Sequence, residues 1–257
     1  MKQAQDFAGG NARFPENPRT AMRHFLLPIV TAVSLLTAAV FAGESNALSA
    51  DEKSAGWRLL FDGKTLDGWQ PIGKAGVPIK GWVVQDGAIF LAKGAGGGDL
   101  VTTEQFGDFE LTWEWKIGAV GNSGLKYNLP DPKRGLGFEY QMIDDEKHPD
   151  GLRGGKLHQT AALYDLIEPS GDRKVKPVGE WNESRIVVKG DHVEQWLNGV
   201  KTVEFEFGSD DLKARIAKSK YKDAANFGVK TKSPILLQDH HDEVFFRNLK
   251  VRVIEAK

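Results

Sequence analysis

Apolar residues recur along most of this chain in short runs with a period of two. Trp57–Phe61, Trp82–Gln85, Ala88–Ala92, Phe109–Ile117, Gly137–Ile143 and Ala161–Leu166 are rich in aromatic and β-branched residues. Gly or Asp-Gly pairs such as Asp62-Gly63, Asp67-Gly68 and Asp86-Gly87 separate most of them. Runs of this length and punctuation predict strands. The hairpins are clearest over 184–207. Ser184–Lys189 turns at Gly190-Asp191 into His192–Leu197, which turns at Asn198-Gly199 into Val200–Phe207. Asn-Gly between alternating apolar residues is a strong hairpin signal, because a type I′ turn needs two residues at positive φ. Ile235–Gln238 and Val244–Ile254 complete the set.

One segment breaks the period. Asp210–Lys222 carries Leu212, Ile216 and Tyr221 among Ala, Lys and Arg, with Ser209 or Asp210 placed as N-cap, and predicts one helix inserted in a loop. About eleven short strands and one helix predict an all-β, jelly-roll-like sandwich of two antiparallel sheets. No internal repeat and no linker follow residue 56, so residues 51–257 read as a single domain.

Residues 1–50 read as a separate object. Residues 1–21 are polar and patternless, which suits an over-extended start. Met22-Arg23-His24 then precedes an apolar run from Phe25 to Ala42 and small residues through Ala50. A basic stretch, an apolar core and a small-residue exit predict a secretory signal peptide, with cleavage after Ala42, Ala47 or Ser49. A membrane anchor is the alternative, since 18 residues reach the lower edge of a spanning helix. Pro28 and the small polar exit favour cleavage, leaving no stable membrane span. The expected location is the periplasm or the outside face of the envelope.

Composition narrows the chemistry. The chain has no cysteine, which excludes disulfides, zinc–thiolate sites and thiol nucleophiles. Its 34 basic and 35 acidic residues give no electrostatic reason to expect nucleic acid as a partner. All seven tryptophans lie after residue 50, and Trp113 and Trp115, alternating with Glu114, read as core. Gly94–Gly98 is glycine-rich but lacks the Lys-Ser/Thr of a phosphate loop, which excludes that mode of nucleotide binding.

Alternation also sorts the polar residues by face. In Gly137–Ile143, Phe138, Tyr140 and Met142 oppose Glu139, Gln141 and Ile143. In Ile235–His240, Gln238 and His240 oppose Leu237 and Asp239. In Gly124–Asn128, Lys126 and Asn128 oppose Leu125 and Tyr127. If these polar faces line one concave sheet, they form a sugar-sized polar site. The alternatives are an ordinary solvated face for Glu139 and Gln141, and a surface loop for His240-His241. Asn122-Ser123-Gly124 reads as a turn. Asp144-Asp145-Glu146 with Lys147-His148-Pro149-Asp150 reads as a solvated turn, although carboxylate-rich loops also bind hard cations.

Several motifs in order carry a family resemblance. Leu60-Phe61-Asp62-Gly63-Lys64-Thr65-Leu66-Asp67-Gly68-Trp69, Asn122-Ser123-Gly124 and Gly137-Phe138-Glu139-Tyr140-Gln141-Met142-Ile143-Asp144-Asp145 come first. Gly179-Glu180-Trp181-Asn182, Trp196-Leu197-Asn198-Gly199, Leu237-Gln238-Asp239-His240 and Phe246-Arg247-Asn248 follow. Over roughly residues 56–254 the chain resembles the 3-keto-disaccharide hydrolase family. The resemblance implies a concanavalin-like jelly roll and an enzyme that cleaves glycosides already oxidised to a ketone at C3. A non-catalytic carbohydrate-binding jelly roll is the alternative, and a structural envelope domain a third.

The resemblance also implies roles. Glu139 and Asp144 stand on the matching Glu-x-Gln-x-x-Asp strand and His240 on Gln-x-His, as catalytic candidates. Either Glu139 or His240 would be the base, and the other an acid or metal ligand. Asn122, Lys126, Asn128, Gln141, His148, Tyr164 and Gln238 are the substrate-contact candidates. Many members carry Arg where Asn128 stands here, and Lys126, two residues earlier, could supply the positive charge. A divalent cation at Asp144, His148 or His240 is left open, as is the oligomeric state.

Overall fold

Thirteen strands, three short α-helices and a 3-10 turn (Gly155–His158) lie within residues 45–255, the part of the chain that the computed structural model describes. In chain order they are α1 (Ala50–Ser54), β1 (Arg58–Leu59), β2 (Trp69–Pro71), β3 (Trp82–Gln85), β4 (Ala88–Leu91), β5 (Leu100–Thr102), β6 (Phe109–Ile117), β7 (Asn122–Asp131) and β8 (Leu136–Ile143). Then follow α2 (Pro149–Gly154), β9 (Asn182–Lys189), β10 (His192–Leu197), β11 (Val200–Glu206), α3 (Asp210–Lys218), β12 (Leu236–Leu237) and β13 (Val244–Val253). One sheet has the order β11-β10-β9-β6-β13-β4-β3, with β1 added on β13; the other runs β2-β5-β12-β7-β8. Every strand pairing is antiparallel. This is the expected jelly-roll sandwich.

Alternation puts the core between the sheets. Leu111, Trp113, Trp115 and Ile117 of β6 point inward, as do Phe138, Tyr140 and Met142 of β8 and Val244 and Phe246 of β13. Fully burying one such large apolar side chain contributes about 1.5–3 kcal/mol. Trp113 meets Tyr140 edge to face at 4.9 Å between ring centroids. The polar ends of Trp115 and Tyr140 join a relay. Trp115 Nε1 donates to Ser184 Oγ (2.8 Å), Ser184 Oγ to the Tyr140 hydroxyl (2.8 Å), and Tyr140 to the Trp196 carbonyl (3.1 Å). Buried polar atoms satisfied in this way cost little. The Asn198-Gly199 hairpin has both residues at positive φ, 47° and 81°, as a type I′ turn requires.

Four expectations need correction. Asn122-Ser123-Gly124 is not a turn but the start of β7, paired with Ile143, Met142 and Gln141. Ala161–Leu166 is not a strand, because Ala161 and Asp165 both take left-handed φ (65° and 62°). It still lies along the outer edge of β8, where Ala161 N–H donates to the Gln141 carbonyl and Tyr164 N–H to the Glu139 carbonyl. The single expected helix is joined by α1 and α2, each too short to show a helical period. Finally, α3 stops at Lys218 instead of Lys222: Ser219 turns extended (ψ 175°) and closes the last turn on Ile216. Residues 220 and 221 thereby leave the helix.

The proposed signal segment lies almost wholly outside the described residues. Asn46, which the sequence places in that extension, is bonded to the domain: its Oδ1 accepts from Asn248 N–H (2.9 Å) and its Nδ2 donates to the Gly87 carbonyl (2.8 Å). No helix among the described residues is long and apolar enough to cross a membrane.

Candidate active site

Side chains of β7, β8 and the segment after β12 converge on a cleft of about 430 Å³, counting its open mouth. Its wall includes Asn122, Lys126, Glu139, Gln141, Tyr164, Gln238 and His240, seven of the residues singled out from sequence. The parity argument places most of them. Glu139 and Gln141 point away from the core that Phe138, Tyr140 and Met142 fill. They are buried rather than solvated because the 159–167 loop and the chain around 220 cover that face.

Glu139 is only 5% exposed. It sits directly opposite Lys126 in the β7–β8 register, and the Lys126 ammonium lies 3.3 Å from its Oε2. Lys126 also reaches the Gly135 carbonyl at 3.4 Å. The neighbouring Asp99 carboxyl is raised in pKa by burial, against the pull of the Lys126 charge. Gly124 makes room for this arrangement: a Cβ there would stand 2.9 Å from Glu139 Oε1, 3.0 Å from its Cγ and 3.2 Å from Gln238 Oε1. The Asn-Ser-Gly sequence therefore serves close approach. Ser123, on the opposite face, fixes the neighbouring segment by donating to the Gln238 carbonyl (2.9 Å).

Amides supply the rest of the polar wall. Gln141 Nε2 donates to the His158 carbonyl (3.4 Å) and Asn122 Nδ2 lies 3.5 Å from His240 Nε2. Asn122 Oδ1 and Gln238 Oε1 are buried and accept no hydrogen bond from the protein. Leaving each such acceptor bare costs about 1–3 kcal/mol. His240 stands exposed at the rim.

Asp150, Lys220 and Tyr221 also line the wall and were not found from sequence. Asp150 looked like part of a solvated turn. It in fact accepts from the Tyr164 hydroxyl (2.8 Å) and lies 3.1 Å from His158 Nδ1. Burial pushes its pKa up, but the bonds to Tyr164 and His158 outweigh that and hold it below the usual value. Burial and the Asp150 carboxylate in turn hold Tyr164 as a neutral phenol, and burial with the Glu139 charge does the same for Tyr221. The apolar spacing predicts Lys220 and Tyr221 inside the inserted helix, whose early end at Lys218 instead leaves them lining the cleft.

Three sequence candidates do not reach this wall. Asn128 does not share a face with Lys126, because its φ of 50° breaks the alternation; its amide instead clamps the 229–231 loop, donating to the Val229 carbonyl (3.0 Å) and accepting from Thr231 N–H (2.7 Å). Asp144 is buried, and its carboxylate accepts from the backbone N–H groups of Val120 (3.0 Å), Glu146 (3.2 Å) and Lys147 (3.1 Å). It borders a different cleft, beside Trp115, Val178 and Asn182. His148 caps α2, its Nδ1 accepting from Asp150 N–H at 3.1 Å.

His148, His240 and Asp242 each place one donor atom within 4.8 Å of the others, a set of two imidazoles and a carboxylate that suits a divalent cation by type. The capping bond opposes this use. An Nδ1 that accepts from a backbone N–H leaves the proton of the neutral ring on Nε2, which points to Asp242 Oδ2 at 3.8 Å. Burial, together with the nearby His240, lowers the His148 pKa and favours that neutral ring. A cation would have to displace either the proton or the cap.

Residues 56–252 match the family described as 3-keto-alpha-glucoside-1,2-lyase-like domain. The chain belongs to this family. It is 33% identical over 245 residues to a protein of Bacteroides thetaiotaomicron named 3-keto-disaccharide hydrolase, covering 83% of this chain and 84% of that one. A crystal structure from Parabacteroides distasonis, provisionally described as a glycosyl hydrolase, is 36% identical and covers 82% of this chain and all of its own, with a TM-score of 0.74. A second protein of that organism, under the same provisional description, is 25% identical at a TM-score of 0.58 and covers 77% of this chain and 99% of its own. The resemblance read from the motifs holds, and so does the reading of the chain as an enzyme. Among the described residues the exposed large apolar side chains are all Val or Leu. Outside the core, Trp57, Trp181 and Trp196 each carry an arginine guanidinium over the ring.

Proposed function

We propose that the protein cleaves glycosides carrying a ketone at C3, by elimination followed by hydration. A C3 ketone acidifies the C2 proton. The Glu139 carboxylate takes that proton, and its electron pair moves into the ketone to give an enolate. Collapse of the enolate forms the C1–C2 double bond and expels the aglycone oxygen, which takes a proton from His240 at the rim. Water then adds across the double bond, its hydroxyl to C1 and its proton to C2, for a net hydrolysis. Proton transfers of this kind contribute about 10²–10⁴ each.

The observation that carries the reading is the buried Glu139, set against Lys126 at 3.3 Å on the floor of a cleft walled by amides. An ordinary glycosidase needs a second carboxyl kept protonated to serve as acid. The other wall carboxylate, Asp150, is instead held ionised. The experiment is incubation of purified protein with 3-keto-sucrose, 3-keto-trehalose and 3-keto aryl glycosides beside their unoxidised parents. Aglycone release is expected from the ketones alone. No turnover of any ketone, with measurable glycan binding, sinks the reading in favour of a binding module.

We infer in addition that the chain is exported, on the basic-then-apolar segment from Met22 to Ala42. The bonds of Asn46 to Asn248 and Gly87 favour cleavage after Ala42 over Ala47 or Ser49, which would remove that residue. Intact mass of the periplasmic protein should correspond to a start at Gly43. A start at Leu48 or Ala50 contradicts the position, and full-length protein confined to the cytoplasm contradicts export.

A further inference from the structure

The wall holds two lysines, and they are in different states. Lys126 is committed to Glu139 and to the Gly135 carbonyl. The Lys220 ammonium lies 4.0 Å from the centre of the Tyr164 ring and 5.1 Å from that of Tyr221, and has no carboxylate within ion-pair distance among the described residues. Its backbone is pinned by hydrogen bonds, and its ammonium rests on the two aromatic faces. Lys220 N–H donates to Asp165 Oδ2 (2.8 Å), and Tyr221 N–H donates to Ser219 Oγ (3.0 Å). The residue is exposed at the mouth of the cleft, so the ammonium can meet an entering ligand without crossing protein.

We propose that Lys220 is the cation that stabilises the enolate oxygen formed from the C3 ketone. This rests on the elimination reading above. That reaction demands charge stabilisation where the oxyanion develops, and a positive group counts most when no carboxylate already neutralises it. The aromatic faces hold the ammonium in place without a counter-charge. Lys126, the sequence-level candidate for this role, is spent on the base. Partial desolvation against the cleft wall lowers the Lys220 pKa. Glu139 on β8 and Asp165 and Asp150 along the loop and α2 oppose that shift, while Lys126 on β7 adds to it.

The test compares wild type, Lys220→Met and Lys220→Arg on a 3-keto aryl glycoside, with kcat, KM and full pH profiles. Lys220→Met should lower kcat about 10²–10³-fold, the scale of one lost oxyanion donor, with KM changed less than threefold and the thermal midpoint unmoved. Lys220→Arg should recover at least a tenth of the lost rate and shift the alkaline limb of kcat upward from a value below ordinary lysine, about 10.4. Wild-type turnover with Lys220→Met within threefold of it overturns this assignment alone. A borohydride-trapped adduct on Lys220 also overturns it, by replacing the electrostatic role with a covalent one. Absence of wild-type turnover on every ketone sinks the reaction and this assignment with it.

Discussion

Glu139→Gln should lower kcat/KM on a 3-keto glycoside about a thousandfold, the middle of the range for a lost general base, with the protein still folded. The substitution keeps the volume that Gly124 leaves open between β7 and β8, where a Cβ would touch Glu139 Cγ at 3.0 Å. The new amide oxygen can still accept from Lys126, which also keeps its contact with the Gly135 carbonyl. The thermal midpoint should therefore fall by no more than a few degrees. Substrate deuterated at C2 sharpens the test. Wild type should show a primary isotope effect on kcat if proton abstraction limits the rate, and the variant should show a larger one. A folded variant within tenfold of wild type would remove Glu139 from the chemistry and pass the base to His240. A rise in KM with kcat intact would make Glu139 a binding group only.

Alternation along β8 makes the floor of the site legible in the sequence. In β8, three large apolar residues on one face required the other face to point elsewhere, and Glu139 and Gln141 do line the cleft. The same logic found Lys126, Gln238 and His240. It failed where the backbone leaves the β region. Asn128 at φ 50° and the paired left-handed residues Ala161 and Asp165 invalidate parity, and Asn and Asp tolerate such φ well enough that composition alone does not flag them. Lys220 and Tyr221 were hidden for another reason. The apolar spacing Leu212, Ile216, Tyr221 runs on past the point where Ser219 closes the helix, so the period overstated its length. The role of Gly124 needed the partner strand: only the pairing with β8 reveals that its missing side chain is occupied by Glu139.

Asp144→Ala separates a structural carboxylate from a catalytic one, and the two readings predict opposite signatures. The Asp144 oxygens accept from Val120, Glu146 and Lys147 N–H, groups that tie the β6–β7 turn to the loop leading into α2. Hydrogen bonds to a charged group contribute about 1.5–3 kcal/mol each and do not add. The loss is expected to be about 2–4 kcal/mol in total. At about 2–4 °C per kcal/mol for a domain of this size, the thermal midpoint should drop by about 5–15 °C. The kcat/KM measured well below that midpoint should stay within threefold of wild type, because the side chain borders the cleft beside Trp115 and not the one holding Glu139. Some tolerance is needed: the Asp144 carbonyl also accepts from His148 N–H, and looseness there could reach His240 through the ring pair at 5.9 Å. Asp144→Asn keeps one acceptor oxygen and should lie between the two in stability. A hundredfold loss of kcat/KM at an unchanged midpoint would return Asp144 to the chemistry and require the 144–150 segment to reach the substrate.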